Sequence, residues 1–315
     1  MPVNATLATY SDWTYGAAVA IYFFAAVLYL CEAAFARPAK ARERELAGAV
    51  AAGGTQADGT WAPGRVTRPE RSRVERLGRM GVALTVLGVV LQAASLVLRG
   101  FATERAPWGN MYEYGSLLTL AAVVTWLVLS RMFPVRRLGG FVLVPIVILM
   151  FLGGTVLYAD AAPVQPALQS YWLVVHVSVI SVSSGVLLVP GVASVLYLLK
   201  SSGRARFGKL PDADVLDRLA YRSTVFAFPL FTIGIICGAI WAEAAWGRFW
   251  GWDPKETVAF VSWVVYAAYL HARATAGWRG RPAAWINSVG FAMTVFNLFF
   301  INLVTTGLHS YAGVG

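Results

Sequence analysis

The chain contains only three histidines, His176, His271 and His309, and each lies at or near one end of a long apolar segment. An imidazole at the edge of a membrane span is a functional candidate, because ionisable groups are costly there. Between His176 and His309 lies Trp241 to Glu256, WAEAAWGRFWGWDPKE, which places Trp241, Trp246, Trp250 and Trp252 beside an Asp-Pro-Lys-Glu turn. Trp246, Trp250 and Trp252 cannot share one helical stripe with glycines among them, so the spacing predicts a loop over 241–256, lying on a membrane surface. Such a loop can be an aromatic belt that anchors helix ends, or a flat platform for a flat aromatic ligand. Each histidine, taken singly, can equally be a satisfied interfacial residue.

Spacing separates the histidines. Asp253 reads as an N-cap, Pro254 as the first helical residue and Glu256 as the capping-box partner. From that start to His271 is about 25 Å of helix at 1.5 Å per residue. His271 therefore cannot share a metal with groups at the tryptophan loop, whereas His176 and His309 lie at the loop's depth. Two imidazoles and flat aromatic surface suit haem better than zinc, which takes four N/S ligands or three with water. Arg248, and Lys255 beside it, are candidates to pair with haem propionates, with a solvated loop charge as the alternative for Arg248.

These groups must be held by helices in a bilayer. The chain has 315 residues, 58% of them hydrophobic and 13% charged, with a mean hydropathy of +0.61. Soluble domains carry about 25% charge, so the composition predicts an all-α, polytopic transmembrane bundle. About 20 apolar residues span a bilayer, and eight segments qualify: 15–36, 80–99, 113–131, 138–158, 171–199, 221–241, 255–272 and 284–304. The first lacks a basic leader region and a small-residue cleavage site where expected, so it reads as a retained helix. The net charge of +10 is clustered between spans, a topological pattern that argues against a nucleic-acid face. Arg and Lys recur in 37–79, 131–137, 200–222 and 273–281, while the alternate connections hold Arg99, Arg105, Arg248 and Lys255. The basic set is expected inside, with both termini and the tryptophan loop outside. Residues 1–79 form an N-terminal span and basic loop, Gly-rich in its middle, with a possible surface helix from Arg68 to Arg79; residues 80–315 form the site-bearing domain. Cys31 and Cys237 fit no disulfide or metal pattern. Asn110, Tyr112, Glu113 and Tyr114, at the mouth of the third span, either anchor it or line the outer site.

WGRFWGWDPKETVAFVSWVVYAAYLHAR, GWRGRPAAW, NLVTTGLHSYA, PWGNMYEYGSLL and QSYWLVVHVSVI together resemble the CcsA/ResC family, the WWD-domain membrane component of the System II cytochrome c synthase. The likeness covers about residues 100–315, with no departure at the motif positions. It implies that His176 and His309 ligate haem b beside the WWD loop, formed by Trp241, Trp246, Trp250, Trp252 and Asp253. It also implies that His271 ligates haem crossing the membrane, with the second ligand from a ResB-like partner subunit. The implied reaction is thioether formation between haem vinyls and the Cys-x-x-Cys-His thiols of apocytochrome c, in the plasma membrane, with the loop extracytoplasmic and a thiol-reducing protein acting upstream. The nucleophiles belong to the substrate, so no catalytic residue is expected in this chain. Asp253 reads mainly as a helix cap. A haem exporter without an attachment role and a bis-histidine electron-transfer subunit are the alternative readings. The incomplete inner histidine pair argues against the second.

Overall fold

The computed structural model describes residues 3–35, 73–164, 166–203, 210–305 and 307–309. Most of the expected basic loop, residues 36–72, lies outside that set; from 73 onward the chain is already helical. The described residues form eight long helices with no strand: α1 (Ala5–Phe35), α2 (Arg73–Thr103), α3 (Met111–Met132), α4 (Gly139–Thr155), α5 (Tyr171–Ser201), α6 (Ala213–Trp246), α7 (Pro254–Ala274) and α8 (Arg281–Val304). Each expected span is a helix, and several run well past their apolar window, α1 and α2 to 31 residues and α6 to 34.

Seven of these helices are long and apolar enough to cross a membrane; α7 falls outside that set. Its first turn carries Lys255 and Glu256 and its last turn His271 and Arg273. Only Ser262, Tyr266 and Tyr269 of α7 are buried. It packs mainly on α8, its antiparallel neighbour.

The bundle has two halves. In the first, α1 lies along α2 and against α4; in the second, α5 lies along α6 and α8 pairs with α7. The halves join where α3 crosses α5. Bilayer-embedded helices gain little from hydrophobic burial against one another, so close approach of small residues and buried hydrogen bonds hold them. The buried stripe of α1 contains Ser11, Tyr15, Ala18, Tyr22, Ala25, Tyr29 and Glu32, a heptad-like spacing. It meets Gly78, Gly81, Thr85, Gly88, Gln92 and Ser95 of α2, so tyrosine rings fill grooves left by small side chains. The Tyr22 hydroxyl donates to Gln92 Oε1 at 2.9 Å, and Gln92 Nε2 donates to Ser116 O and Thr119 Oγ1 of α3, each at 2.9 Å. At the α3–α5 crossing, a Cβ on Gly185 would sit 2.9 Å from Ala121 Cβ.

Strict alternation of direction places the starts of α1, α3, α5 and α7 and the ends of the other helices at one face of the bundle. Asn4 N donates to Ala102 O at 2.9 Å, which pins the N-terminal end of α1 to that face. At the opposite face, among the described residues, Arg136 pairs with the buried Glu32 and Arg273 with Asp217.

Candidate functional site

Helix α6 carries the tryptophan segment further than its sequence predicts. It continues through Trp246 and stops at Gly247, whose φ of +71° lets its N–H turn back to Glu243 O at 2.8 Å. Glycine reaches this left-handed conformation without steric cost. The expected loop over 241–256 is thus confined to 247–253, and Trp241 lies on the helix, 2% exposed.

The start of α7 has the expected capping box. Asp253 accepts from Lys255 N at 3.2 Å, Pro254 occupies the first turn, and Glu256 Oε2 receives Gly251 N at 2.9 Å and Asp253 N at 3.1 Å. Asp253 does more than cap. The segment after α8 folds back so that Leu308 N donates to Asp253 Oδ1 at 2.6 Å and His309 Nδ1 meets Oδ2 at 2.8 Å. Gly307 permits this, because a Cβ there would collide with the same carboxylate. Burial raises the pKa of Asp253, but donation from His309, Leu308 and Lys255 outweighs it and holds the carboxyl below its usual range. Burial likewise dominates at His309 and holds its imidazole below its usual value, despite the pull of Asp253. The pair is therefore a neutral imidazole donating Nδ1–H to a carboxylate, which puts the ring's lone pair on Nε2.

His176 reaches the same place from the first turns of α5. Its Nδ1 lies 2.8 Å from the Gly234 carbonyl of α6. A carbonyl only accepts, so this nitrogen bears the hydrogen and Nε2 again holds the lone pair. Gly238, one turn on, makes room: a Cβ there would lie 2.7 Å from His176 Cε1 and 2.8 Å from Nδ1.

Trp241 brings the two imidazoles into register. Its ring stacks on His176 at 6.0 Å with a 9° tilt, and His309 meets it edge-on, also at 6.0 Å. Trp246 closes on both Trp241 (4.8 Å) and His309 (5.2 Å). All four rings line one cavity, whose walls also include Trp108, Asn110 and Tyr114 at the mouth of α3, and Trp250 of the loop. Its lining descends along α5 from His176 through Ile180 to Ser184, about 12 Å at 1.5 Å per residue. Phe231 of α6 and Ser262 of α7 line it as well.

Of the remaining sequence candidates, Trp252, Arg248 and His271 lie outside the cavity lining. Trp252 is 67% exposed, with φ +55°, and pairs edge-on with Trp250 at 5.9 Å. Arg248 is exposed and does not line the cavity; Lys255 does. His271 is exposed at the far end of α7. Tyr112 and Glu113 turn away from the cavity. Glu113 is buried between Arg99 (3.1 Å) and Arg105 (2.8 Å), and Arg99 also pairs with Asp12 at 3.2 Å. That cluster, with Gly109 N donating to Glu113 at 2.7 Å, fixes the segment that carries Trp108 to the cavity wall. Trp108 is a site residue the sequence does not single out. Its buried Nε1 has no hydrogen-bond partner among the described residues.

The sequence profile of the family described as Cytochrome C assembly protein matches residues 108–309, the stretch bounded by Trp108 and His309. Similar curated proteins named Cytochrome c biogenesis protein CcsA occur in Chlamydomonas reinhardtii and Parasynechococcus marenigrum (strain WH8102). The first is 38% identical over 252 residues, covering 76% of this chain and 71% of that protein. The second is 36% identical over 276 residues, covering 76% and 88%. The relative of the same name in Guillardia theta is 33% identical over 263 residues, covering 76% and 87%. Among solved structures, one titled Cytochrome c Heme Lyase CcmF superposes with a TM-score of 0.62 at 18% identity, covering 95% of this chain and 47% of that longer one. That likeness concerns the helical fold, whereas the profile and the sequence relatives reach the site itself: this chain belongs to the cytochrome c assembly protein family, within its CcsA group.

Proposed function

We propose that the chain acts in cytochrome c biogenesis by binding haem b in the cavity and presenting it for covalent attachment to apocytochrome c. One observation carries this reading. His176 and His309 both give Nδ1 to a fixed acceptor, a backbone carbonyl and a carboxylate, and both stand 6.0 Å from the Trp241 ring. Metal-ligating histidines characteristically donate their other ring nitrogen in this way, which sets tautomer and ring orientation. The rest of the cavity suits a porphyrin: mostly apolar walls, flat indoles at its mouth and a depth of the order of the macrocycle's width. No group of three or more His, Cys, Asp or Glu able to hold a bare metal ion occurs among the described residues.

Haem is here a substrate. Bound, it supplies two vinyl groups that accept thiols. The chain holds the iron by two imidazoles, fixes the ring plane with Trp241 and Trp246, and excludes water with Trp250. Holding haem in place makes its encounter with a docked Cys-x-x-Cys-His segment effectively intramolecular. The thiol nucleophiles come from the apocytochrome, whose own histidine displaces one imidazole as attachment proceeds. A ResB-like membrane subunit is the expected partner, completing a second haem site at His271, and a thiol-reducing protein acts upstream on the apocytochrome. The clustering of basic residues in alternate connections supports an extracytoplasmic functional face, and the family resemblance is the ground for expecting the plasma membrane.

Visible spectra of the purified chain, with and without the partner, test the reading. The wild type is expected to copurify haem with a low-spin bis-histidine spectrum. His176→Ala and His309→Ala are expected to lose it and to recover it with added imidazole. Wild-type spectra from both variants, or no haem in the wild type with its partner present, overturn the assignment.

A further inference from the structure

A second cavity, of about 300 Å³, lies at the same face of the bundle, where the α2–α3 connection, the α4–α5 connection and the first turn of α5 meet. That volume is at the lower end of the range for ligand pockets. Trp108, Gly109, Leu168 and Leu173 line both cavities, so this one abuts the imidazole cavity across a shared wall. Gly109 lets the two connections close on each other: a Cβ there would lie 2.5 Å from Val164 Cγ1. Leu173 and Val174, on the wall of the second cavity, precede His176 by less than one turn of α5.

The polar groups of this second cavity are of one kind. Among the described residues no Asp or Glu lines it, and Arg105 is its only Lys or Arg. That guanidinium is already committed, donating to Ala106 O, Ala162 O and both oxygens of Glu113. Neutral donors are left. The Trp108 indole Nε1 is buried with no acceptor among the described residues, and a buried donor in that state is costly. Ser170 starts α5 with no side-chain hydrogen bond to its first N–H groups, which have no partner within the helix. Neutral donors beside Leu168, Leu173 and Val174 call for neutral acceptors carried with apolar groups, as in a peptide main chain. A phosphate would instead be drawn by an uncommitted cation.

We infer that the second cavity seats the apocytochrome segment that flanks the attachment motif, with its main-chain carbonyls on the Trp108 N–H and the start of α5. The inference rests on the haem-attachment reading above and adds the side from which the peptide approaches. A segment seated there touches the first turn of α5, which leads to His176, and none of the α7, α8 or 247–253 residues around His309. The thiols therefore arrive on the His176 side, across the shared wall. Trp108 is the largest side chain of that wall and the one that stands between peptide and porphyrin.

Two measurements on the haem-loaded, full-length chain in detergent test the subsite. The probe is a fluorescent apocytochrome-type peptide with Ser-x-x-Ser-His in place of Cys-x-x-Cys-His, which cannot form thioethers. Its binding is read by anisotropy and haem by the Soret band. Val174→Trp fills the cavity from its exposed rim. It is expected to weaken the peptide about tenfold or more, as overpacking does, with the Soret band unchanged. Trp108→Phe keeps a ring and removes the N–H, and is expected to weaken the peptide about threefold, as loss of one hydrogen bond does. Val261→Trp, on the exposed face of α7, is the control and is expected to match the wild type in both readings. The second measurement needs no variant: a benzophenone on the same peptide is expected to crosslink to residues 105–109 or 168–174 of the wild type. If Val174→Trp loses the Soret band as well, the crosslinks alone decide. Wild-type peptide affinity in Val174→Trp, or crosslinks confined to α7 and 247–253, overturns the subsite and leaves the haem reading intact. A phospholipid that copurifies with the wild type but not with Val174→Trp, with no peptide crosslink at either segment, makes the cavity a lipid site and overturns the inference as well. A wild type that takes up no haem overturns the haem reading itself.

Discussion

Asp253 Oδ2 and His309 Nδ1 lie 2.8 Å apart, across 56 residues of sequence, and this contact joins the cap of α7 to the segment after α8. The same carboxylate receives the N–H of Lys255 and of Leu308. One side chain thus starts a helix, anchors the returning segment and sets the tautomer of a candidate ligand.

Those roles separate in Asp253→Asn. Asparagine caps a helix about as well as aspartate, so folding is expected to hold. It offers a neutral acceptor to His309, and loss of such a supporting partner lowers metal affinity by about 10- to 100-fold. Soret titration is expected to show that weakening with little change in thermal stability. Asp253→Ala is expected to show the same weakening plus about 1 kcal/mol of lost cap stability. Equal haem affinity in Asp253→Asn and wild type would reduce the residue to a cap.

Gly238→Ala tests the other imidazole. The added methyl would lie 2.7 Å from His176 Cε1, so the ring has to leave the Gly234 carbonyl or α5 has to move. Overpacking of this kind costs about 1–3 kcal/mol. The expected result is a haem spectrum shifted from low spin toward high spin, with the His309 side unaltered. A low-spin spectrum identical to wild type would show that His176 is not held as its contacts indicate.

Some of this architecture is legible in the sequence and some is not, for physical reasons. The existence of seven of the eight helices follows from apolar length, and the start of α7 from Asp253, Pro254 and Glu256, because both signals are local. The end of α6 is not legible. Trp241 to Trp246 reads as loop by its aromatic density, yet Gly247 alone stops the helix. The pairing of α1 with α2 is also hidden from a hydropathy reading, since both helices face lipid. Its signal is the repeat of small residues at Gly78, Gly81 and Gly88 facing Tyr29 and Tyr22 and the Glu32 carboxylate. The joining of His176 to Gly234, and of Trp108 to the cavity, depends on contacts between distant segments that no local pattern encodes.

Glu113 illustrates such a contact. It is buried between Arg99 and Arg105, and the backbone N–H of Gly109, four residues earlier, donates to it at 2.7 Å. Removing one member of a buried ion network leaves the others uncompensated, at a cost of about 3–5 kcal/mol. Glu113→Gln is expected to lower the thermal unfolding temperature in detergent clearly. It is also expected to perturb the haem spectrum less than His309→Ala, because Glu113 does not line the cavity. A glutamine variant as stable as wild type would mean that the network contributes little.

His271 provides the sharpest separation of sites. It lies in the last turn of α7, whereas Asp253 and the His309 segment lie at the first. Some 25 Å of helix lies between them at 1.5 Å per residue, beyond the reach of any shared ligand. In the isolated chain, His271→Ala is expected to leave the outer haem spectrum and its imidazole dependence unchanged. With the partner subunit present, the same variant is expected to lose a separate fraction of bound haem, while His309→Ala loses the outer one. The double variant is then expected to show the sum of the two losses, since sites this distant act additively. If His271→Ala alone abolishes haem at the outer site in the isolated chain, the two positions are coupled, and a static two-site description of this bundle is wrong. If haem content with the partner present is indifferent to His271, the inner histidine is only an exposed residue at a helix end.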